Sequence, residues 1–235
     1  MKFEHKLTSG RLIKRYKRFL ADIQLDNGEI ITAHCANSGS MMGLKEEGSP
    51  VWVAPQTNPK AKLRYKWELV EADGALVGIN TALPNGLVEQ AIIDGTITEL
   101  QDYQNLRREM KYGENSRIDI FLSGSTTGDQ DCYVEVKSVT LSRSPGIAEF
   151  PDAVTARGTK HLQELRQMVA DGHRAMMVYL TQRSDCHEFR IAADIDPAYA
   201  KALEDALQDG VEATCYSCNL TPKEIIVESR IPIRL

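Results

Sequence analysis

Hydrophobic and polar residues alternate in short runs through the first third of the chain, which is the period-two pattern of β-strands. The runs cover residues 11–25 with a break at Lys17, 29–35, 51–54 and 65–70. An Asp26-Asn27-Gly28 turn separates the first two runs. Five short strands in about 75 residues are typical of a small closed barrel of the OB-fold kind. The pattern therefore predicts an OB-fold-like domain over residues 1–79.

From Asn80 onward the pattern changes to helical stretches that alternate with strands. Helices are predicted over residues 80–94, 153–171 and 197–208, and strands over 106–111, 118–122, 133–139, 175–180, 187–191 and 211–216. Such an order is typical of an α/β domain with a mixed sheet. We therefore predict a second domain over residues 80–235, which makes the whole chain a small barrel followed by an α/β mixed-sheet domain.

Two neighbouring strands of the second domain carry the residues with the clearest chemistry. The first strand contains Asp119, a predicted turn spans Ser123 to Asp131, and the second strand contains Glu135 and Lys137. Glu135 and Lys137 leave the same face of their strand, while the valines beside them point into the core. Two carboxylates beside a lysine suit a magnesium or manganese site for phosphodiester hydrolysis. A plain salt bridge between strands explains the same residue types equally well.

The order of these residues resembles the PD-(D/E)XK nuclease signature, in which an Asp is followed by (Asp/Glu)-x-Lys on the next strand. Asp119 and Glu135-Val136-Lys137 fill those positions. Nucleases of this class tend to carry an acidic residue on a preceding helix, and Glu89 is suitably placed. Its helix has a buried stripe and a glycine stop, and the stripe residues are Leu87, Val88, Ala91 and Ile92. A solvated surface glutamate is the alternative interpretation of Glu89.

Charge is distributed unevenly along the chain. The net charge is −5, but residues 1–70 hold 12 Lys and Arg against 7 Asp and Glu, a net of +5, and the remainder carries −10. The basic residues predicted to contact a DNA backbone without sequence preference are Lys14, Arg15, Lys17, Arg18, Lys60, Lys62 and Arg64. Aromatic residues are interleaved with them, and we expect Phe19 and Trp67 to turn inward rather than to stack on bases.

The long helix predicted over residues 153–171 adds two further candidates for phosphate contact, Arg157 and Lys160. Its predicted buried stripe consists of Leu162, Leu165, Met168 and Val169, with Arg157, Lys160, His161, Glu164 and Gln167 off that stripe. A basic helix start beside a carboxylate site could position a scissile phosphate. For Lys160, pairing with Glu164 one turn later is the ordinary explanation.

The remaining motifs mainly exclude functions. Five cysteines at irregular spacings favour reduced thiols, and the single pair Cys215 and Cys218 lacks the further ligands that structural zinc takes. The loop 37–43 is rich in small residues, which favours a simple turn over a phosphate cradle. No stretch approaches the roughly 20 apolar residues of a membrane span. Residues 1–6 lack the apolar core of a signal peptide, so we expect a cytoplasmic protein without a membrane partner.

Several segments together resemble the sugar fermentation stimulation protein A family. They are AHCANSGSM (33–41), NPKAKLRYKWELV (58–70), EVKSVTL (135–141), FPDAVTARGTKHL (150–162) and IPI (231–233). The resemblance implies an OB-fold domain joined to a PD-(D/E)XK nuclease-like domain, DNA binding without sequence preference, and a role in regulating sugar (maltose) use. The family's nuclease positions fall on Glu89, Asp119, Glu135 and Lys137.

Three hypotheses follow from the sequence. The chain is a magnesium-dependent DNA nuclease, a DNA-binding regulatory protein without turnover, or a binding module of sugar metabolism that does not bind DNA. An intact set of acidic residues favours the first over the second, because carboxylates repel phosphates unless a cation lies between them.

Overall fold

The structure is a computed structural model, and it describes residues 1–113, 116–128 and 130–234. The predicted turn from Ser123 to Asp131 includes residue 129, which lies outside the described residues. Sixteen strands, three α-helices and one 3-10 turn are present in the described part of the chain.

The first five strands close into a barrel, as predicted. They are β1 (Thr8–Tyr16), β2 (Leu20–Leu25), β3 (Ile30–Cys35), β4 (Pro50–Pro55) and β5 (Tyr65–Ala72). β1 pairs with β2, β2 with β3, β3 in parallel with β5, β5 with β4, and β4 again with β1. This ring leaves a closed interior that the alternate, inward-facing residues fill. The fully buried residues of that interior include Ile23, Val51, Val53 and Trp67.

A sixth strand that the sequence pattern did not predict, β6 (Ala75–Gly78), leads from the barrel toward the second domain. It pairs with β5 across a tight turn in which Asp73 and Gly74 have φ values of 54° and 78°. Asp-Gly is a favoured pair for such a turn because both positions need positive φ. β6 then touches the second domain, where the Gly78 backbone N donates to the Gln182 carbonyl oxygen at 3.0 Å.

The second domain contains a six-stranded mixed sheet, so the predicted fold class is confirmed. Its strands are β7 (Tyr103–Tyr112), β8 (Ser116–Ser125), β9 (Cys132–Val139), β12 (Arg174–Thr181), β14 (Glu212–Leu220) and β15 (Ile225–Arg230). The order is β15-β14-β12-β9-β8-β7, with β9, β12 and β14 parallel to one another. Helix α1 (Pro84–Ile93) packs against β8, β9 and β15, and α2 (Ala156–Ala170) packs against β9 and β12. Helix α3 (Pro197–Gln208) packs on α2.

A second, four-stranded sheet was missed by the sequence pattern. It consists of β10 (Leu141–Ser144), β11 (Ile147–Phe150), β13 (Glu188–Ile191) and β16 (Ile233–Arg234), of which only β13 was predicted. These strands have two to four residues. A period-two pattern needs four to eight residues to be recognised, so all four strands lie at or below the lower limit and give at most a weak signal.

The helix boundaries follow from local capping chemistry. Helix α3 has the predicted bounds because Asp196 accepts a hydrogen bond from the Tyr199 backbone N at 3.0 Å and Pro197 occupies the first turn. Helix α2 begins three residues later than predicted, because Thr155 is its N-cap and accepts from the Gly158 backbone N at 3.1 Å. None of the described helices is long and apolar enough to cross a membrane.

The cysteines are free thiols in the described part of the chain, and all five are buried. Cys215 and Cys218 both lie on β14 but contribute to different hydrophobic cores, on opposite sides of the sheet. Their side chains therefore pack into different cores.

Candidate active site

Asp119 lies where strands β8 and β9 part. The pairing of these strands ends at Ile120 and Val134. Beyond this pair, Asp119 Oδ2 accepts a hydrogen bond from the Val136 backbone N at 2.8 Å. A side-chain carboxylate thus takes the place of a strand carbonyl, and the two strands diverge around it. Opposite Asp119 on β7, Glu109 has a φ of 55°, a left-handed conformation that is uncommon for residues other than glycine.

Helix α1 reaches the same carboxylate from the other direction. Asn85, in the first turn of α1, donates from Nδ2 to Asp119 Oδ1 at 2.8 Å. Glu89 lies one turn further along and so shares the helix face of Asn85. Its Oε2 lies 3.3 Å from Arg108 Nη1, and the side chain is partly exposed. The helix therefore brings Glu89 to the site's edge, where an arginine from β7 holds it.

Glu135 is the most deeply buried of the four predicted nuclease residues, with 2% of its surface exposed. Its Oε1 accepts from Lys137 Nζ at 2.6 Å and from His161 Nδ1. Its Oε2 is buried and has no hydrogen-bond partner among the described residues. One oxygen of this carboxylate is thus held by two cationic or polar donors, while the other is left free inside the protein.

His161 is a component of the site that the sequence interpretation placed off the buried face, and this was wrong. The residue is 5% exposed and lies against Glu135. Arg157 donates from Nε to His161 Nε2 at 3.2 Å, so Nε2 is the acceptor and Nδ1 carries the proton given to Glu135. A signal was present in the sequence, because residues 161, 165 and 168 share one helix face at spacings of four and three.

The two carboxyl groups respond differently to their surroundings. Burial, and next the negative charge of Glu135, raise the pKa of Asp119 above its ordinary value. Burial also acts to raise the pKa of Glu135, but the hydrogen bond from His161 and the charge of Lys137 outweigh it and lower that pKa. Glu135 therefore holds its negative charge readily, whereas a charge on Asp119 is disfavoured even though the charge of Lys137 partly offsets the shift.

A second group of buried oxygens adjoins the carboxylates. The Tyr112 hydroxyl is buried without a partner among the described residues, and so is Glu164 Oε2. Burial and the charges of Glu135, Glu164 and Asp119 all raise the pKa of Tyr112. The other Glu164 oxygen accepts from Ser116 Oγ at 2.6 Å and lies 3.4 Å from Lys160 Nζ, the pairing that the helix spacing predicts. The carboxylates of Glu135, Glu164 and Asp119 therefore lie near enough to act together on the Tyr112 hydroxyl.

The basic residues of the β1–β2 hairpin fall into two groups. Lys14 and Lys17 are exposed, and Lys14 Nζ lies 3.6 Å from Asp22 and 5.3 Å from the Tyr16 ring centre. Arg15, in contrast, is half-buried and donates from Nη2 to the carbonyl oxygens of Arg18, Asn37 and Gly39 at 2.8–3.1 Å. Arg15 therefore organises the 37–39 loop through Nη2, which makes all three of these hydrogen bonds.

The second basic stretch lies on the long loop between β4 and β5. Lys60, Lys62 and Arg64 are exposed there. Lys62 and Arg64 line a groove of about 640 Å³. Arg157 and Lys160 are also exposed, at the start of α2 beside the carboxylates. The exposed cations thus lie on both domains, and the groove belongs to the barrel.

The loop 37–43 is a turn whose amides are used inside the protein. Asp152 Oδ2 accepts from the Met41 backbone N at 3.2 Å and lies 3.3 Å from Ser40 Oγ. A Cβ on residue 39 would lie 2.6 Å from the same oxygen, so the close approach of Asp152 requires Gly39. Asp152 of the second domain thus takes up the Met41 amide and the Ser40 hydroxyl as hydrogen-bond donors.

Family models match both halves of the chain. The SfsA N-terminal OB domain matches residues 13–79, and the sugar fermentation stimulation protein RE domain matches residues 82–224. The chain belongs to the sugar fermentation stimulation protein family. The family resemblance predicted from the sequence is thus confirmed, and the predicted boundary between residues 79 and 80 falls between the two matched regions.

Similar proteins extend over the full length. A sugar fermentation stimulation protein homolog of Maricaulis maris is 52% identical over 235 residues, covering 100% of this chain and 99% of the relative. A homolog of Rhodospirillum centenum is 57% identical over 228 residues, covering 97% of each chain. The solved structure of Pyrococcus furiosus SfsA in complex with Ca²⁺ superposes with a TM-score of 0.89 at 27% identity, covering 100% of this chain and 98% of that one.

Proposed function

We propose that this member of the sugar fermentation stimulation protein family hydrolyses phosphodiester bonds in DNA with the help of magnesium or manganese. Asp119 and Glu135 would hold the ion, with Lys137 beside them and Glu89 at the edge of the site. The observation that carries the proposal is the free, buried Oε2 of Glu135. A buried carboxylate oxygen without a partner is costly, and a bound cation removes that cost.

The donors suit a hard divalent cation. Carboxylate oxygens are the ligands that magnesium prefers. An ion between Asp119 and Glu135 would offset the burial and the repulsion by Glu135 that together raise the pKa of Asp119. A bound ion would polarise the phosphate and activate a water molecule. The solved relative from Pyrococcus furiosus is described in complex with Ca²⁺, another cation that takes oxygen ligands.

The protein's own residues then have separate roles. His161 and Lys137 hold Glu135 Oε1, which leaves Oε2 free to face the ion. The Lys137 ammonium, only 13% exposed, is available to stabilise negative charge that develops on the phosphate. The exposed cations Lys14, Lys17, Arg18, Lys60, Lys62, Arg64, Arg157 and Lys160 would contact the DNA backbone irrespective of sequence. A regulatory role in sugar (maltose) use would act through this contact with DNA.

A second candidate function is DNA binding without cleavage. It is favoured by one observation: among residues 1–113, 116–128 and 130–234, no group of three or more His, Cys, Asp and Glu side chains is arranged to hold a metal ion. Two carboxylates with water and backbone oxygens suffice for magnesium, which often keeps several waters. The two functions therefore differ in turnover, and activity measurements separate them.

The deciding experiment compares the wild-type protein with Lys137→Ala, Asp119→Asn and a control, Lys223→Ala, in which an exposed lysine away from the site is removed. Plasmid, branched and single-stranded DNA are incubated with each protein and magnesium or manganese. We expect Lys137→Ala to lose about a hundredfold or more of the cleavage rate, as when one preorganised charge stabiliser is removed. It should retain metal and DNA binding.

Metal binding is measured separately by the thermal midpoint. Millimolar magnesium or manganese should raise the midpoint of the wild-type protein and of Lys137→Ala, because the ion binds only the folded state. Asp119→Asn should lose that rise. Equal cleavage by all four proteins would indicate a contaminating nuclease. Absence of cleavage by the wild-type protein on every DNA form would leave DNA binding without turnover as the function.

A further inference from the structure

Phe19 is exposed on the barrel, contrary to the expectation from the sequence that it turns inward. Its side chain is 46% exposed, whereas Trp67 is fully buried as expected. The Phe19 ring lies nearly parallel to the His34 ring, with an interplanar angle of 15° and 6.4 Å between the ring centres. Such offset stacking of two rings forms an extended flat surface. The two rings together are called the Phe19–His34 platform below.

The turn that carries Phe19 holds an unusual conformation for its residues. Lys17 and Arg18 have φ values of 47° and 63°, both in the left-handed region. Hairpin turns of this kind usually contain Asn, Asp or Gly, which adopt positive φ at lower cost. The turn is held in place by Arg18 Nη2, which donates to the Ser38 carbonyl oxygen at 3.0 Å. The Cys35 backbone N also donates to the Phe19 carbonyl oxygen at 2.9 Å.

The surroundings of the platform are basic on both sides. Lys17 and Arg18 directly precede Phe19, and both are exposed. On the other side, a cavity of about 260 Å³ adjoins His34 and is lined by His34, Gln56, Ala61, Lys62 and Leu63. Phe19 is exposed and His34 is half-buried beside it. Accessible aromatic rings with cations on either side are the arrangement with which proteins bind single strands, since the rings stack on bases and the cations hold the phosphates.

We propose that the Phe19–His34 platform stacks on an unpaired base of single-stranded DNA, and that Lys17, Arg18 and Lys62 hold the adjoining phosphates. This deepens the proposed function, on which it rests, because it assigns the DNA form that the barrel selects. In a duplex both faces of each base are covered by neighbouring base pairs, so a stacking platform discriminates in favour of unpaired DNA. The platform lies on the barrel and involves none of the carboxylates of the active site.

The test measures the affinity of a thymidine oligonucleotide and of a duplex of equal length by fluorescence anisotropy, over a range of salt concentrations. Phe19→Ala should weaken single-strand binding by about 5- to 150-fold, the range of one base stacked on one ring. Duplex binding should stay within about twofold, since the contacts with duplex phosphates remain. Phe19→Tyr, which keeps the ring, should restore single-strand affinity.

The salt dependence separates stacking from charge. Phe19→Ala removes no cation, so the slope of log K against log salt should not change, whereas Lys62→Ala should reduce the slope for single strands by about 0.7. Ile226→Ala is the matched control, because Ile226 is an equally exposed apolar residue, at 45%, on the second domain. Its affinities should equal those of the wild type.

The outcomes distinguish this inference from the function on which it rests. If the wild-type protein binds neither DNA form, the proposed function itself is wrong. If it binds both forms and Phe19→Ala loses nothing, or loses equally on both, the stacking inference is overturned while DNA binding stands. If Phe19→Ala instead abolishes a concentration-dependent dimer without any change in DNA affinity, a second copy of the chain occupies the platform and the inference is equally overturned.

Discussion

Asp119 and Glu135 stand at neighbouring positions, yet protonation affects each of them differently. The raised pKa of Asp119 means that the folded state favours its protonated form more than the unfolded state does. Stability contributed by this group is present at low pH and decreases as pH rises through the folded pKa. For Glu135, whose pKa is lowered, the stability is present above the ordinary pKa and is lost on acidification.

This difference gives a prediction for Asp119→Asn without metal. The neutral amide can still accept from the Val136 backbone N, but it carries no charge next to Glu135. We expect the variant to have a higher thermal midpoint than the wild type at pH 7, and the difference to vanish as pH approaches the ordinary Asp value of 3.8. Thermal unfolding measured from pH 4 to 8 checks this, with Asp102→Asn on an exposed site as control. A variant less stable than the wild type at pH 7 would contradict a destabilising repulsion between Asp119 and Glu135.

His161 is expected to position Glu135 rather than to react. His161→Leu removes the donor to Glu135 Oε1 and should cost about 1–3 kcal/mol of unfolding free energy, the usual cost of leaving a buried polar group with fewer partners. His161→Asn offers a side-chain amide in a similar place and should recover most of the loss. Denaturant unfolding measures both, and magnesium-induced shifts in the midpoint should follow the same order. Equal losses in the two variants would show that packing alone matters.

At the scale of elements, the parting of β8 and β9 is the feature that builds the site. Asp119 Oδ2 substitutes for a backbone acceptor of Val136, so a side chain continues the hydrogen bonding where the ladder stops. The alternation of apolar and polar residues describes one strand at a time. It could therefore not show that a side chain of β8 accepts the hydrogen bond of a β9 backbone amide. The strands themselves were predictable, since their residues alternate over long enough stretches.

The hydrogen bond from the Val136 N–H to the Asp119 carboxylate should protect this single amide from exchange. In Asp119→Ala the Val136 N–H loses its acceptor, and its hydrogen exchange should become roughly tenfold faster, as expected for the loss of one hydrogen bond worth about 1.4 kcal/mol. In Asp119→Asn the rate should stay close to that of the wild type. Amides of β12, which pair with the opposite edge of β9, serve as the internal reference. An unchanged Val136 rate in Asp119→Ala would mean that a backbone group takes over.

At the scale of the whole molecule, Arg183 connects the barrel to the second domain. It is 2% exposed and lies 2.7 Å from Asp185 and 3.1 Å from Asp73 of the β5–β6 turn. It also donates to the Thr140 carbonyl oxygen at 3.3 Å. A buried guanidinium with partners on both domains couples them, and we expect the chain to unfold in one transition.

Two signals test this coupling, because both tryptophans, Trp52 and Trp67, lie in the barrel while the three α-helices of the described chain lie in the second domain. Tryptophan fluorescence and far-UV circular dichroism should therefore give the same denaturation midpoint. Arg183→Ala should cost about 3–5 kcal/mol, because it leaves Asp185 without its buried partner. Asp73→Ala, at a largely exposed partner, should cost less than about 1 kcal/mol. Two separate midpoints in the wild type would contradict the coupling.

The sequence alone allowed us to predict those parts of the fold and of the candidate site that depend on residues close together in the chain. Asp119, Glu135 and Lys137 are recognisable from their spacing, and α3 from its Asp-Pro cap. Asn85 and Tyr112 join the site only through packing of elements distant in the chain, which a single sequence does not display. The burial of His161 was indicated by the helix face that it shares with Leu165 and Met168, but its contact with Glu135 was not. Phe19 was assigned to the interior because aromatic residues usually are buried, whereas the left-handed turn before it carries the ring outward.

The buried thiols have a consequence for handling the protein in air. Burial raises the pKa of Cys132 and Cys215 to about 12 and that of Cys186 to about 11, and it also raises the pKa of Cys35 and Cys218. Oxidants and alkylating reagents attack the thiolate, which is scarce at neutral pH for all five. Cys35 lies in the barrel and the others in the second domain. The rate at which a thiol reagent modifies each cysteine therefore reports how often the hydrophobic core around it becomes exposed to solvent.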